Sequence, residues 1–357
     1  NMKIKTKLIR LICAISFLLF YQCKFSNQSV TVDIKAKPFE KLSDYHFFKG
    51  ALKDLIPNDR VLPYDVITAL FTDYAHKARF VWMPEGSTAK YVKEEALDFP
   101  VGTVLIKNFF YENDERNSSK GRRIIETRLL IKKNDKWDAI AYVWNNEQTD
   151  AELNIVGDSK QVDFINTKGT AMHINYSVPN KNECKNCHNL NNVLMPIGPK
   201  VRYLNKDYKF ADGTKNQLEK WASVGYLTGY SKAENVENRN ADAFDPNSGT
   251  IEHRAKSYLE INCAHCHRRE GSANNSGLFL LLKEQNPESW GMMKSPVAAG
   301  AASGDDLYDI VPGKPDESIL VHRITDNDPE VRMPELGRSV QHVEGVALIR
   351  QWITEMK

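Results

Sequence analysis

No stretch of this 357-residue chain supplies the roughly 20 apolar residues that a membrane-spanning helix needs. A concentrated basic face is missing too. The net charge of +2 becomes −2 without residues 1–22, which hold Lys3, Lys5, Lys7 and Arg10 and no acid, leaving 44 basic against 46 acidic residues. A nucleic-acid partner, which needs clustered Lys and Arg, is therefore not expected. Nor does the chain read as disordered: 41% hydrophobic and 26% charged residues suit a soluble globular protein of two domains, or three with one small. Cysteine is scarce, six in all, and spacing accounts for most of them.

The longest apolar run, Leu11 to Tyr21, follows a basic stretch from Lys3 to Arg10 and ends at Cys23. Too short to span a bilayer, it reads as an export signal over residues 1–22 and not as part of the fold. A Cys directly after the apolar run resembles the bacterial lipoprotein signal, in which that Cys is lipidated. Phe20, Tyr21 and Gln22 are bulkier than that signal usually carries, and the alternative is a nearby cut that leaves Cys23 an idle thiol. The expected location is outside the cytoplasm: periplasmic, or lipid-anchored at an outer membrane of a Gram-negative-type bacterium.

Of the remaining cysteines, Cys13 lies in the signal, and the other four form two pairs, Cys184/Cys187 and Cys263/Cys266. Each pair is followed at once by a histidine, in Cys-Lys-Asn-Cys-His188 and Cys-Ala-His-Cys-His267. This is the attachment pattern of c-type haem. Thiols three positions apart on a helical turn can each add to one haem vinyl group, and the next residue presents its imidazole to the iron. Cys184, Cys187, Cys263 and Cys266 are thus expected to bind two covalent haem c groups, with His188 and His267 as iron ligands. Zinc is the first rival, but zinc ribbons space their Cys pairs far more closely and need no His after each. Structural disulfides fit an oxidising compartment yet leave the histidines unexplained. A thioredoxin-like pair would sit near a strand–helix–strand pattern, which is not found here.

The expected architecture is α+β: a β-rich domain over residues 37–205 that ends in the first haem motif, a connecting segment over 206–250, and a mainly α-helical cytochrome c domain over 251–357. In the last of these, Ile251 to Asn262 can form a helix leading into the second motif, and Val343 to Met356 carries a wide apolar stripe at helical spacing. Between them stands Met333-Pro334. A low-spin haem needs a sixth ligand, and a Met sulfur opposite the His raises the potential; the other reading of Met333 is core filler. His265, His322 and His342 read as surface or loop residues. In the first domain, segments at 80–83, 103–107, 124–131 and 140–144 are rich in β-branched and aromatic residues and separated by turns, suggesting an antiparallel sheet or sandwich.

Tyr258 to His267, Val311 to Leu320, Arg332-Met-Pro334 and Leu348 to Ile353 together resemble the cytochrome c domain of an uncharacterised family of exported bacterial haem proteins. That family is often paired with a parallel β-helix protein. Leu62-Pro-Tyr-Asp65, Leu70 to Ala75, Phe99 to Thr103, Glu126-Thr-Arg128 and Pro196 to Lys200 extend the resemblance over most of the chain. It implies His267/Met333 ligation, electron transfer, a redox partner protein and a β-helix partner, but names no reaction. A Pro-x-Gly-Thr before a Lys-bearing strand, with a late haem motif, is also similar to the hydroxylamine-oxidising cytochromes whose haem is cross-linked to a lysine. Carried over, Lys107 is that lysine; read alone, it is an exposed strand residue.

The sixth ligand of the first haem stays open among His173, Met172 and Met195, with His46 and His76 able to reach it through folding, or the position is vacant. Three functions follow: an electron carrier, a haem enzyme of peroxidase-like or nitrogen-compound type with an open first iron, or a docking module. The electron carrier is favoured, with no catalytic residue assigned.

Overall fold

The computed structural model describes residues 28–134, 136–232, 239–297 and 299–357. The expected export signal and Cys23 lie outside these residues.

Six antiparallel strands form the central sheet, in the order β1 (Val61–Tyr64), β2 (His76–Trp82), β3 (Val104–Glu112), β4 (Arg122–Lys132), β5 (Trp137–Trp144) and β6 (Ala151–Asn154). β3, β4 and β5 are rich in Val, Ile, Tyr, Phe and Trp, whose branched or flat side chains pack well on a pleated surface. A register shift between Phe109 and Phe110 bends the β3–β4 pair. Because successive side chains alternate in direction, the sheet has two distinct faces. One carries Phe80, Ile106, Leu129, Ile140 and Tyr142 and is covered by Leu42, Tyr45, Phe47 and Phe48 from the preceding segment. The other carries Arg79, Val81, Leu105, Lys107, Phe109 and Arg128 and turns toward the rest of the chain.

A separate hairpin, β7 (Asp158–Ile165) with β8 (Ala171–Val178), follows. Its inward residues Val162, Phe164, Ile174, Tyr176 and Val178 pack on Phe109, Tyr111 and Ile125. The chain then enters α1 (Lys181–Cys187). Residues 206–232 and 239–250, from the expected connecting segment, contribute Phe210, Leu218, Trp221, Tyr226, Leu227, Ala241 and Ala243 to the buried core. They contain a short hairpin at 207–210 and 213–216 and the helix α3 (Gln217–Ser223), whose Trp221 is fully buried against Tyr64 and Phe99. Residues 227–228 pair in parallel with 89–90.

The C-terminal part holds α4 (Ile251–Cys263), α5 (Ile319–Thr325) and α6 (Val343–Glu355), joined by long irregular stretches with single-turn 3-10 helices. The chain as a whole is mixed helix and sheet, an α+β protein. The mainly helical character expected for 251–357 is not seen, since the loops outweigh the helices there. α4 starts at Thr250, whose side chain accepts from the His253 amide at 3.2 Å. α4 and α6 pack through Ala255, Leu259, Val346, Ile349 and Ile353, with Trp290 and Trp352 beside them. Gly345 on α6 sits against the Tyr258 hydroxyl of α4, so a side chain there would have no room.

The two parts are pinned together by buried polar bonds. Arg202 on α2 (Val201–Leu204) pairs with Glu260 of α4, both buried, and Asn240 donates to the same carboxylate at 2.9 Å. The Phe71 amide donates to Asn262 at 2.8 Å.

Candidate haem-binding site

α1 is only seven residues long and is fixed at its start by a capping box. Asn180 accepts from the Asn182 and Glu183 amides at 2.9 and 3.0 Å, and Glu183 reaches back to the Asn180 amide at 2.8 Å. Within it Cys184 and Cys187 stand one turn apart, and His188 caps its end. The second motif is built the same way at the end of α4: the amides of Cys266 and His267 both donate to the Cys263 carbonyl, at 3.1 and 2.9 Å. All four cysteines are free thiols. Among the described residues no group of three or more His, Cys, Asp or Glu is arranged to hold a bare metal ion.

Both imidazoles are oriented through Nδ1. In His188 it bonds the Met195 carbonyl at 2.9 Å, and in His267 it faces the Ser276 hydroxyl at 3.2 Å, whose own proton goes to the Ala273 carbonyl. These bonds set the tautomer that leaves Nε2 free to ligate. Burial lowers the pKa of each ring to about 4, so both are neutral at pH 7, as iron ligation requires. Gly271 lets the following loop pass directly over the Cys266 carbonyl.

A cavity opens between the second sheet face, α1, the end of α4 and the Met333 loop. Cys184, Cys187, His188, Cys263 and Met333 line it together with apolar groups such as Leu105, Leu130, Ile261 and Leu336. Cys266 and His267 are not among the lining residues. At the first motif, free thiols, a tautomer-fixed imidazole and a largely apolar wall suit thioether-linked porphyrin, so Cys184, Cys187 and His188 fit the group.

Met333 is held by its backbone: its amide donates to the Arg323 carbonyl at 2.9 Å, and its carbonyl accepts from Arg338 Nε at 3.0 Å. Arg338 is buried and also donates to the carbonyls of Arg323 and Asp326, at 3.1 and 2.6 Å. The next residues are tied to the sheet domain by buried Asp73, which accepts from the Ser339 and Val340 amides at 2.6 and 3.0 Å. Burial raises the Asp73 pKa against these bonds.

Lys107 is not an exposed strand residue. Arg79, Lys107 and Arg128 are cross-strand neighbours on β2, β3 and β4, and all three line the cavity. Arg79 pairs with Asp65 at 2.7 Å, and Arg128 pairs with Glu126, which also accepts from the Tyr176 hydroxyl. Lys107 lies over the Phe109 ring at 4.8 Å. Burial first, then the neighbouring cations, holds its ammonium well below the usual lysine range.

The other candidates fall elsewhere. His173 is 77% exposed on the hairpin and bonded to Asp163 at 2.6 Å, so it does not reach the cavity. Its position on β8 points outward because Ile174 points in. Met172 packs at the edge of the hairpin core. The Met195 carbonyl is taken by His188 Nδ1, which puts Met195 beside that ring. His76 is exposed and faces Glu115 at 2.8 Å, and His46 caps a turn in the segment preceding the sheet. His265 and His342, expected as surface or loop residues, lie in a turn and a loop that form part of the cavity wall. His265 lines it, with its Nδ1 buried and unpartnered. His342 also lines it, stacked on Phe71 at 4.1 Å between ring centroids and facing the Tyr258 hydroxyl at 3.0 Å. No family model, curated protein or solved structure matches the chain.

Proposed function

We propose that the protein is a di-haem c-type cytochrome that transfers electrons outside the cytoplasm. The carrying observation is that the first Cys-x-x-Cys-His segment and Cys263, the first cysteine of the second, line one cavity, although 75 residues separate Cys187 from Cys263. In this reading Cys184 and Cys187 would hold one haem and Cys263 and Cys266 the other, with His188, His267 and Met333 as the side chains that would ligate iron. The haems supply one-electron redox chemistry. The chain's own contribution is to fix the ligand tautomers, exclude water and set each potential by ligand type and burial. Residues 251–357 act as the cytochrome c domain, and a redox partner protein, such as the parallel β-helix protein implied by the resemblance, delivers or accepts electrons. A lipid anchor at Cys23 would hold the protein at a membrane facing the periplasm. The test is a count: protein purified from an exporting host, denatured and extracted with acidified organic solvent, should retain two haem masses. Retention of none rejects the reading.

A second reading, a haem enzyme of peroxidase-like or nitrogen-compound type, rests on one observation. His173 and Met172 lie away from the cavity, whereas Lys107, Arg79 and Arg128 line it. An open first iron would bind carbon monoxide when reduced and show a high-spin ferric component. Wholly low-spin, ligand-inert spectra reject it. A cross-link from Lys107 to the first haem would survive loss of both Cys184 and Cys187, a result that mass spectrometry reads directly.

A further inference from the structure

The sheet wall of the cavity carries an excess of positive charge. Among the described residues lining the cavity, Arg79, Lys107, Arg128 and Arg338 are cationic, and the one carboxylate, Glu183, is spent on the start of α1. Arg338 is committed to the carbonyls that close the Met333 loop. The other three stand abreast: the strand register sets Arg79 against Lys107 and Lys107 against Arg128, on strands about 5 Å apart. Asp65 holds Arg79 through Nη1 at 2.7 Å, and Glu126 holds Arg128 through Nε and Nη2. Nε and Nη2 of Arg79 and Nη1 of Arg128 therefore keep no hydrogen-bond partner among the described residues. Lys107, between them, rests on the Phe109 ring and has no ion pair there.

We propose that Arg79, Lys107 and Arg128 form a binding site for a singly charged oxyanion of carboxylate type inside the cavity. Three cations against the two carboxylates of Asp65 and Glu126 leave a surplus of one unit, which favours a monoanion over a phosphate dianion. Lys77, beside them on β2, is answered in part by Asp73. An ammonium enclosed by a largely apolar wall is costly unless a countercharge joins it. Guanidinium edges on either side of that ammonium offer the paired N–H donors that the two oxygens of a carboxylate accept best. The anion is either a free small molecule that enters the cavity or a carboxylate arm of a group attached to the chain; the chemistry at the wall is the same. The site does not depend on porphyrin being attached.

Thermal unfolding of the full chain, as purified from an exporting host, tests this with acetate as the probe, against chloride at equal ionic strength and pH 7. A ligand that binds only the folded state raises the midpoint by mass action. With a free anion as occupant, the wild-type midpoint should rise with acetate and level off. Lys107→Arg should keep that rise, and Lys107→Met, which removes a charge-assisted hydrogen bond, should weaken acetate about tenfold or more. With an attached carboxylate arm as occupant, acetate should add nothing to wild type, and the sign of the Lys107→Met effect decides. Deleting a paired ammonium lowers the midpoint below those of wild type and Lys107→Arg, whereas deleting an unpaired one raises it. An equal acetate rise in wild type and Lys107→Met would place the anion elsewhere and overturn the proposal. So would the absence of any acetate rise in wild type together with a Lys107→Met protein no less stable than wild type or Lys107→Arg.

Discussion

Arg338 illustrates how much a single buried side chain can organise. Its guanidinium, wholly committed to carbonyl oxygens and the Asn327 side chain, closes the loop that carries Met333. Replacing it with Met keeps most of the volume but strands several part-buried acceptors, each loss costing about 1 kcal/mol. Arg338→Met should therefore lower the denaturation midpoint; under the proposed di-haem reading it should also weaken the thioether-to-iron band while the haem count stays at two. Under the same reading Met333→Ala should abolish that band outright and lower the potential of one haem. An unchanged band in Met333→Ala would remove Met333 from the iron. At this scale the two Cys-x-x-Cys-His segments are legible because five consecutive residues contain the whole pattern. Arg338 and Asp73 were not, since their partners are carbonyls and amides brought near only by folding. The cavity positions of His265 and His342 were not legible for the same reason: a histidine in a loop gives no local sign of which way it faces. Lys107 was flagged by a short resemblance, and only the strand register shows that it lies in line with two arginines.

Elements were read unevenly. The strands corresponding to β2, β3, β4 and β5 stood out because they are rich in β-branched and aromatic residues and bounded by turns, and the helices α4 and α6 because of their apolar stripes. The β7–β8 hairpin was missed, although Val162, Phe164, Ile174, Tyr176 and Val178 alternate with polar residues around a turn at 166–170. Its outward face is so polar that the segment reads as loop. The crossing of α4 and α6 depends on the lack of a side chain at Gly345, which lets the Tyr258 hydroxyl approach. Gly345→Ala places a methyl group in that contact and should destabilise the protein by about 1–3 kcal/mol through overpacking. Adding Tyr258→Phe removes the hydroxyl and should restore part of the loss. Thermal unfolding of the single and double variants measures this, and equal loss in both would mean that the hydroxyl is not the obstacle.

On the scale of the whole molecule, the question is what holds the sheet domain to the segment carrying the second motif. The Arg202–Glu260 pair is buried and is completed by Asn240. Its value lies less in net stability than in the penalty for breaking it, since Arg202→Met would leave Glu260 charged and enclosed, a loss of roughly 3–5 kcal/mol. Glu95 gives the same seam a pH dependence. Burial pushes its pKa up, but the Arg268 hydrogen bond and the charges of Arg268 and Lys200 outweigh that and hold it at about 2, below the usual 4.5. A carboxyl whose folded pKa is depressed binds fewer protons folded than unfolded. Its contribution is therefore complete above about pH 4.5 and is lost as the pH falls toward 2. Wild-type protein should unfold at a higher temperature than Glu95→Gln at pH 7, and the gap should close progressively below pH 4.5. Salt should narrow the gap only partly, because Arg268 and Lys200 are buried. If the two proteins lose stability in parallel down to pH 2, the seam owes nothing to the charge on Glu95, and the second motif is held against the sheet by packing alone.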